Sequence, residues 1–147
     1  MVKVAIILGS EGDRKVGDIA YQLLKELDVE CDYRVLSAHR NPKALEEYVE
    51  SCEAEVFIAV AGLSAALPGF IAARTVKPVV GVPRDVRLGG IDALLSMAQM
   101  PSGVPVACVG IDNAKNAALL SVEILALEDK NLRKKLTQYR NTMNQNP

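Results

Sequence analysis

The chain contains a single histidine, His39, which stands in a short polar segment with Ser37 and Arg40. Imidazole is the side chain whose ordinary pKa, about 6.5, suits proton transfer near neutral pH. Arg40 is a natural fork for a phosphate group, and Ser37 is a natural hydrogen-bond donor. The segment therefore predicts general acid–base chemistry by His39 next to a bound anion.

A second candidate segment, residues 9–13, follows the first apolar run of the chain. Gly9 permits close backbone approach, Ser10 can donate to a phosphate, and Asp13 can accept from sugar hydroxyls. A plain turn with a helix-capping aspartate has the same composition. The segment is neither a Walker loop nor the three-glycine dinucleotide fingerprint, so it gains meaning only in combination with the other segments.

The third candidate segment is a stretch of small residues at 61–69 that includes Gly62, Ser64 and Ala65. Small side chains would leave room for a substrate against bare backbone amides. Close packing of a helix uses small residues as well, so both interpretations stand.

Five short apolar runs must position these segments, and they alternate with stretches of helical periodicity. The runs cover residues 2–8, 31–36, 56–61, 79–82 and 105–110. Most are continuously apolar, as expected of parallel strands buried on both faces, whereas 31–36 alternates like an edge strand. The pattern predicts an α/β fold, in which ligands bind at the carboxyl ends of the strands.

The helical stretches give weaker predictions. An apolar face is expected for the first helix, and Asn41 with Pro42 is expected to form the N-cap and first residue of the next. The residues expected on the first helix's apolar face are Ile19, Leu23, Leu24 and Leu27.

A change in composition follows residue 127. Residues 128–143 are charged, yet Leu132, Leu136 and Tyr139 recur at helical spacing. This narrow apolar stripe needs cover, either from its own domain or from a neighbouring subunit. We expect one domain over residues 1–147, with an α/β core at 1–127 and a helical extension at 128–147.

Composition narrows the functional classes. The 147 residues are 50% hydrophobic, and 17 basic against 18 acidic side chains give a formal net charge of −1. We expect a small-molecule partner, because nucleic-acid binding usually needs a basic surface. The first apolar run is too short to span a membrane, so no membrane or targeting segment is expected. The three cysteines, Cys31, Cys52 and Cys108, are predicted to be reduced, buried and cytoplasmic.

Taken together, the motifs resemble those of the PurE family of purine-biosynthesis enzymes. They occur in the family's order: Gly-Ser-x-x-Asp, Ser-Ala-His-Arg-x-Pro, Ala-Gly…Leu-Pro-Gly, Gln-Met-Pro-x-Gly-x-Pro-Val and Asn-Ala-Ala-Leu-Leu. The resemblance implies a three-layer flavodoxin-like fold, assembly as a homo-octamer, and a C-terminal helix that packs on a neighbouring subunit. It also implies a cytoplasmic enzyme without cofactor or metal.

The resemblance assigns roles to the candidate residues. His39 would be the general acid and base in forming 4-carboxy-5-aminoimidazole ribonucleotide, with CO2 held in the site. The residues expected to bind the ribonucleotide and CO2 are Ser10, Asp13, Arg40, Ser37, Gly9, Gly62, Ser64 and Ala65.

Two classes of the family differ in their carboxyl donor. The mutase class moves the carboxylate of N5-carboxyaminoimidazole ribonucleotide to ring carbon C4, and the carboxylase class uses free CO2. Arg40 favours the mutase, whereas Ala66 stands where mutases usually have a second histidine, and Gly12 replaces a serine. We expect the mutase, with the carboxylase as the alternative and a non-catalytic ribonucleotide-binding module as a third. An aromatic content of 4% without tryptophan disfavours a flavin-binding electron carrier.

Overall fold

A five-stranded parallel sheet forms the centre of the computed structural model, which describes residues 1–145. The strands are β1 (Val4–Leu8), β2 (Cys31–Val35), β3 (Val56–Ala61), β4 (Val79–Pro83) and β5 (Ala107–Cys108). Their order across the sheet is β2-β1-β3-β4-β5, and all four pairings are parallel. This is the flavodoxin-like order, so the predicted fold class is confirmed.

Burial of the strands follows from their sequences. Every residue of β1, β3 and β4 is buried, while β2 is partly exposed at the sheet edge, as its alternation predicts. The last strand is shorter than the predicted run 105–110, since only Ala107 and Cys108 pair with β4. Pro105 has no N–H to donate to a neighbouring strand, which limits the ladder at this edge.

Within residues 1–145, six α-helices cover the two faces of the sheet. They are α1 (Arg14–Glu26), α2 (Pro42–Ser51), α3 (Leu67–Ala72), α4 (Ile91–Ala98), α5 (Ala114–Leu125) and α6 (Lys130–Gln145). One apolar cluster lies between the sheet and α1, α5 and α6, and a second lies between the sheet and α2, α3 and α4. The sheet and its two helical layers form three layers. Because the strands are parallel, their carboxyl ends all lie at one edge of the sheet.

Predictions for α1, α2 and the cysteines are corrected in part. Leu23, Leu24 and Leu27 are buried as predicted, but Ile19 is 43% exposed at the margin of α1. Helix α2 begins at Pro42 with Asn41 as its N-cap residue, as predicted, but the Asn41 side chain accepts a hydrogen bond from Ser37 N (3.3 Å) and makes no capping hydrogen bond to the helix.

The cysteines are free thiols, but they are half-buried rather than buried. The physical reason is their position, because Cys31 and Cys108 lie in the two edge strands and Cys52 follows the end of α2. Burial raises the pKa of the Cys31 and Cys108 thiols, so both are protonated at neutral pH.

Helix α6 packs on its own chain in this structure. Leu132 is buried, and Leu136 and Tyr139 are half-buried against the cluster formed with α1 and α5. Lys135 Nζ donates to Leu27 O (3.1 Å) and pairs with Asp28 (2.9 Å). The apolar stripe therefore has cover from its own domain, while packing on a neighbour and the division at residue 127 stay predictions.

Residues 146 and 147 of the predicted extension lie outside the described residues. Across residues 1–145, no helix combines the length and apolar character needed to cross a bilayer.

Candidate active site

A cavity of about 380 Å³ opens at the carboxyl ends of β1, β2 and β3. A volume of this order suits a small-molecule ligand. All nine residues predicted for the site line it: Gly9, Ser10, Asp13, Ser37, His39, Arg40, Gly62, Ser64 and Ala65. The cavity is also lined by Val86, which lay in none of the predicted segments, and by further residues of those segments: Ala38, Ala61, Leu63, Ala66 and Leu67. Three segments that are distant in sequence thus share one cavity.

The segment 9–13, which we name the aspartate loop, joins β1 to α1. Asp13 is buried, and its Oδ2 accepts hydrogen bonds from Ser10 N (3.0 Å) and Ser10 Oγ (3.2 Å). Asp13 N donates in return to Ser10 O (3.1 Å). These reciprocal bonds fix the loop before a ligand binds. The Ser10 hydroxyl has one hydrogen, so donating it to a phosphate requires the bond to Asp13 to break.

Behind the aspartate loop lies Arg84, which directly follows β4 and is buried. Its Nη1 donates to Asp13 Oδ1 (2.9 Å) and to Gly12 O (3.1 Å), and its Nε donates to Asp112 Oδ1 (3.1 Å). Our sequence predictions did not include Arg84 in the site. The sequence signal that could have identified Arg84 is a charged residue directly after a continuously apolar strand.

Residues 37–41, which we name the histidine turn, join β2 to α2. Asn41 N donates to Ser37 O (2.8 Å), and Ser37 N donates to the Asn41 side chain (3.3 Å). His39 lies at the exposed tip of this turn and lines the cavity. Its imidazole has no hydrogen-bond partner among residues 1–145, so no protein group occupies either ring nitrogen.

Arg40 links the two segments. Its Nη2 donates to Gly9 O (2.9 Å), and its Nε and backbone N donate to Ser37 Oγ (3.3 and 3.1 Å). A guanidinium has about five N–H donors, and these bonds use two of them. Because Arg40 is exposed, the remaining donors can bind a phosphate group.

Residues 62–66 of the third segment turn from β3 into α3. Ala65 N donates to Gly62 O (3.0 Å), and Leu63 and Ala65 have positive φ angles of 55° and 43°. Non-glycine residues rarely adopt this conformation, and such strain is concentrated at functional sites. Ser64 is exposed at the rim, whereas Ala65 is buried in the wall.

Packing of the cavity wall requires a glycine at position 62, which the sequence analysis did not predict. A Cβ atom at this position would lie 2.6 Å from Val86 Cγ2 and 3.2 Å from Arg84 Cβ. A Cβ contact of 2.6 Å is essentially never seen in proteins and one of 3.2 Å is tight, so the missing side chain makes room for the segment after β4. Gly62 thus serves the wall of the cavity as well as any ligand inside it.

Comparison with known proteins agrees with this geometry. Residues 3–146 match the family model described as AIR carboxylase. The chain belongs to the AIR carboxylase family. The match covers every strand and helix of the structure, including the three segments around the cavity, and confirms the PurE resemblance.

Individual members of the AIR carboxylase family are similar along nearly the whole chain. An N5-carboxyaminoimidazole ribonucleotide mutase from Methanocaldococcus jannaschii is 56% identical over 140 residues, which are 95% of this chain and 89% of the relative. A protein of the same name from Pyrococcus abyssi is 49% identical over 147 residues, covering 97% and 84%. The crystal structure of Treponema denticola PurE has a TM-score of 0.85 at 28% identity, covering 99% and 93%.

Proposed function

We propose that this chain is an N5-carboxyaminoimidazole ribonucleotide mutase of purine biosynthesis, with His39 as its general acid and base. The observation that carries the proposal is the position of His39, exposed and unbonded within residues 1–145, in one cavity with Asp13 and Arg40. The relatives that bear the mutase name at 56% and 49% identity support the same activity.

Substrate binding uses the polar residues of the two loops. The free guanidinium donors of Arg40 bind the phosphate, together with the hydroxyls of Ser10 and Ser37. Asp13 accepts from a ribose hydroxyl, because its Oδ1 has an acceptor site beyond the bond to Arg84. The aminoimidazole ring then lies between the histidine turn and residues 62–66.

The reaction begins at the exocyclic amine. Protonated His39 gives a proton to this nitrogen as the N–C bond to the carboxylate breaks, which releases CO2 and aminoimidazole ribonucleotide inside the cavity. Ring carbon C4 is enamine-like and attacks CO2, so a C–C bond forms while C4 still carries its hydrogen. Neutral His39 removes that proton, which restores the aromatic ring and returns the imidazole to its starting charge.

Retention of CO2 between the two steps requires a closed, apolar wall. Ala65 is buried, Gly62 is covered by Val86, and Leu63 and Ser64 stand at the rim. These residues exclude water and hold CO2 near C4.

Direct carboxylation with CO2 is the second candidate activity, and Ala66 favours it. Ala66 lines the cavity at the N-cap of α3, where the mutase motif usually has histidine. The experiment that separates the candidates compares initial rates of purified protein on N5-carboxyaminoimidazole ribonucleotide with rates on aminoimidazole ribonucleotide plus bicarbonate.

Faster product formation from the N-carboxylated substrate is the expected result. A strong preference for bicarbonate would assign the carboxylase activity instead. Ribonucleotide binding without product from either donor would identify a non-catalytic binding module.

We expect the active form to be a cytoplasmic homo-octamer in which α6 also contacts a neighbouring subunit. Three free cysteines fit a reducing compartment. Light scattering after size-exclusion chromatography gives the subunit number, and cell fractionation gives the location.

A further inference from the structure

Arg84 connects three strand-end segments through a single buried guanidinium. Only 9% of its side chain is exposed, and it pairs with Asp13 on the aspartate loop and with Asp112 after β5. A further bond to Gly12 O fixes the backbone of the aspartate loop. Arg84 does not line the cavity, so any effect on the ligand must pass through these neighbours.

Asp112 is itself held in a strained conformation. Its φ is 59°, in the left-handed region that aspartate visits only occasionally. Asp112 N donates to Pro83 O (2.8 Å), and its Oδ1 accepts from Asp85 N (3.1 Å) as well as from Arg84. Strained backbone persists only where its surroundings fix it, so Arg84 is anchored on a rigid support.

The number of hydrogen bonds that Asp13 can still accept shows how the anchored Arg84 side chain affects the site. An ionised carboxylate has about four acceptor sites. Asp13 uses three of them within the protein, two from Ser10 and one from Arg84. The site that is left belongs to Oδ1, the oxygen that Arg84 holds, and it is free in either state of the Ser10 hydroxyl. A Ser10 hydroxyl that turns to the phosphate frees a further site on Oδ2.

We propose that Arg84 is a positioning residue for substrate binding, which fixes Asp13 Oδ1 so that its remaining acceptor site meets a ribose hydroxyl. The proposal rests on the proposed function, because it takes a ribonucleotide as the ligand. A fixed acceptor strengthens binding, since the substrate need not supply the free energy that orders it.

The test compares Arg84→Met with Arg74→Met. Arg74 is also a partly buried arginine that donates to a carboxylate, Glu46 (2.9 Å), and to a backbone carbonyl, Phe70 O (3.0 Å), but it does not line the cavity. We expect Arg84→Met to raise KM roughly tenfold with kcat changed less than about twofold, as loss of a charge-assisted hydrogen bond predicts. Arg74→Met should leave KM unchanged even where it lowers the melting temperature.

A second readout separates positioning from general structural support. If Arg84 acts through Asp13, then adding Arg84→Met to Asp13→Asn should raise KM no further, because the group that Arg84 positions is already lost. The proposal would be overturned if Arg84→Met raised KM by the same factor in the wild type and in Asp13→Asn. It would also be overturned if the KM of Arg84→Met stayed within about twofold of the wild-type value.

Arg84→Lys provides the measurement if Arg84→Met does not fold. Lysine keeps the charge but cannot span Asp13 and Asp112, so we expect a smaller rise in KM, and an unchanged KM would again overturn the proposal. Turnover of N5-carboxyaminoimidazole ribonucleotide by the wild-type protein tests the proposed function separately. If the wild type does not turn over, calorimetric affinity for aminoimidazole ribonucleotide replaces KM in the same comparison.

Discussion

The aspartate loop and the histidine turn follow neighbouring strands and line the same cavity, yet they are held in opposite ways. Asp13 is 5% exposed and accepts three hydrogen bonds from the protein. His39 is exposed and has no hydrogen-bond partner within residues 1–145. The difference fits the two proposed tasks, because a binding group gains from being fixed in advance, whereas a proton carrier needs a free ring nitrogen.

The largest effect that tests this comparison is expected from His39→Asn. We expect kcat to fall by a factor of about 10²–10⁴, because asparagine cannot carry the proton. KM and the melting temperature should stay near the wild-type values, since His39 contributes no hydrogen bond to the described structure. Steady-state kinetics and thermal unfolding provide the measurements. A variant with wild-type kcat would exclude His39 as the general acid and base.

Asp13→Asn should affect stability and binding together. An asparagine has one acceptor oxygen for the donors of Ser10 and Arg84, so its NH2 group would face a donor. We expect the free energy of unfolding to fall by roughly 3 kcal/mol, the lower range for a broken buried ion pair, because Arg84 keeps Asp112. KM should rise as well.

The matched control for Asp13→Asn is Asp28→Asn. Asp28 pairs with Lys135, but its side chain is 79% exposed. Urea unfolding should show a change of at most about 1 kcal/mol for this surface pair. If the two variants lose equal stability, the contrast between buried and exposed carboxylates is wrong.

Gly62→Ala tests whether the cavity wall depends on the segment after β4. The new methyl group would meet Val86 and Arg84, so we expect a loss of about 1–2 kcal/mol and a higher KM. Gly110→Ala is the control, because its nearest atom, Asn113 Cβ, would lie at an ordinary 3.8 Å. Denaturant unfolding and kinetics of both variants check the prediction, and equal behaviour would remove Gly62 from the wall.

Ser37→Ala should give the smallest effect. The variant removes the hydroxyl that accepts from Arg40, so we expect roughly a fivefold rise in KM, equivalent to about 1 kcal/mol. Ser51→Ala removes a hydroxyl that donates to Glu47 O (2.8 Å) on the exposed face of α2 and should leave KM unchanged. A KM for Ser37→Ala equal to that of the control would mean that Arg40 needs no support from the turn.

The sequence predicted those features whose signals are local. The run 56–61 coincides with β3, since continuous apolar residues mark a strand buried on both faces. The nine site residues line one cavity because parallel strands end at one edge of the sheet. Their roles in binding and catalysis stay predictions until the variants are measured.

The features that sequence reasoning missed depend on distant contacts. Arg84 meets Asp13 across 71 positions and Asp112 across 28, and no spacing rule connects these residues. Gly62 looked like a site for bare backbone because the approach of Val86 is visible only in three dimensions. The prediction for Ile19 failed since an apolar residue at the margin of a helix stripe needs no cover.

The buried guanidinium between two carboxylates has an evolutionary consequence. Arg84 supplies one positive charge between Asp13 and Asp112, so its loss leaves both carboxylates without that partner, whereas loss of either aspartate leaves Arg84 paired with the other. Substitution at position 84 should therefore be inherited together with substitution at position 112, whereas Asp13 can persist through its bonds to Ser10. Related chains that lack the arginine are therefore expected to lack the second aspartate as well.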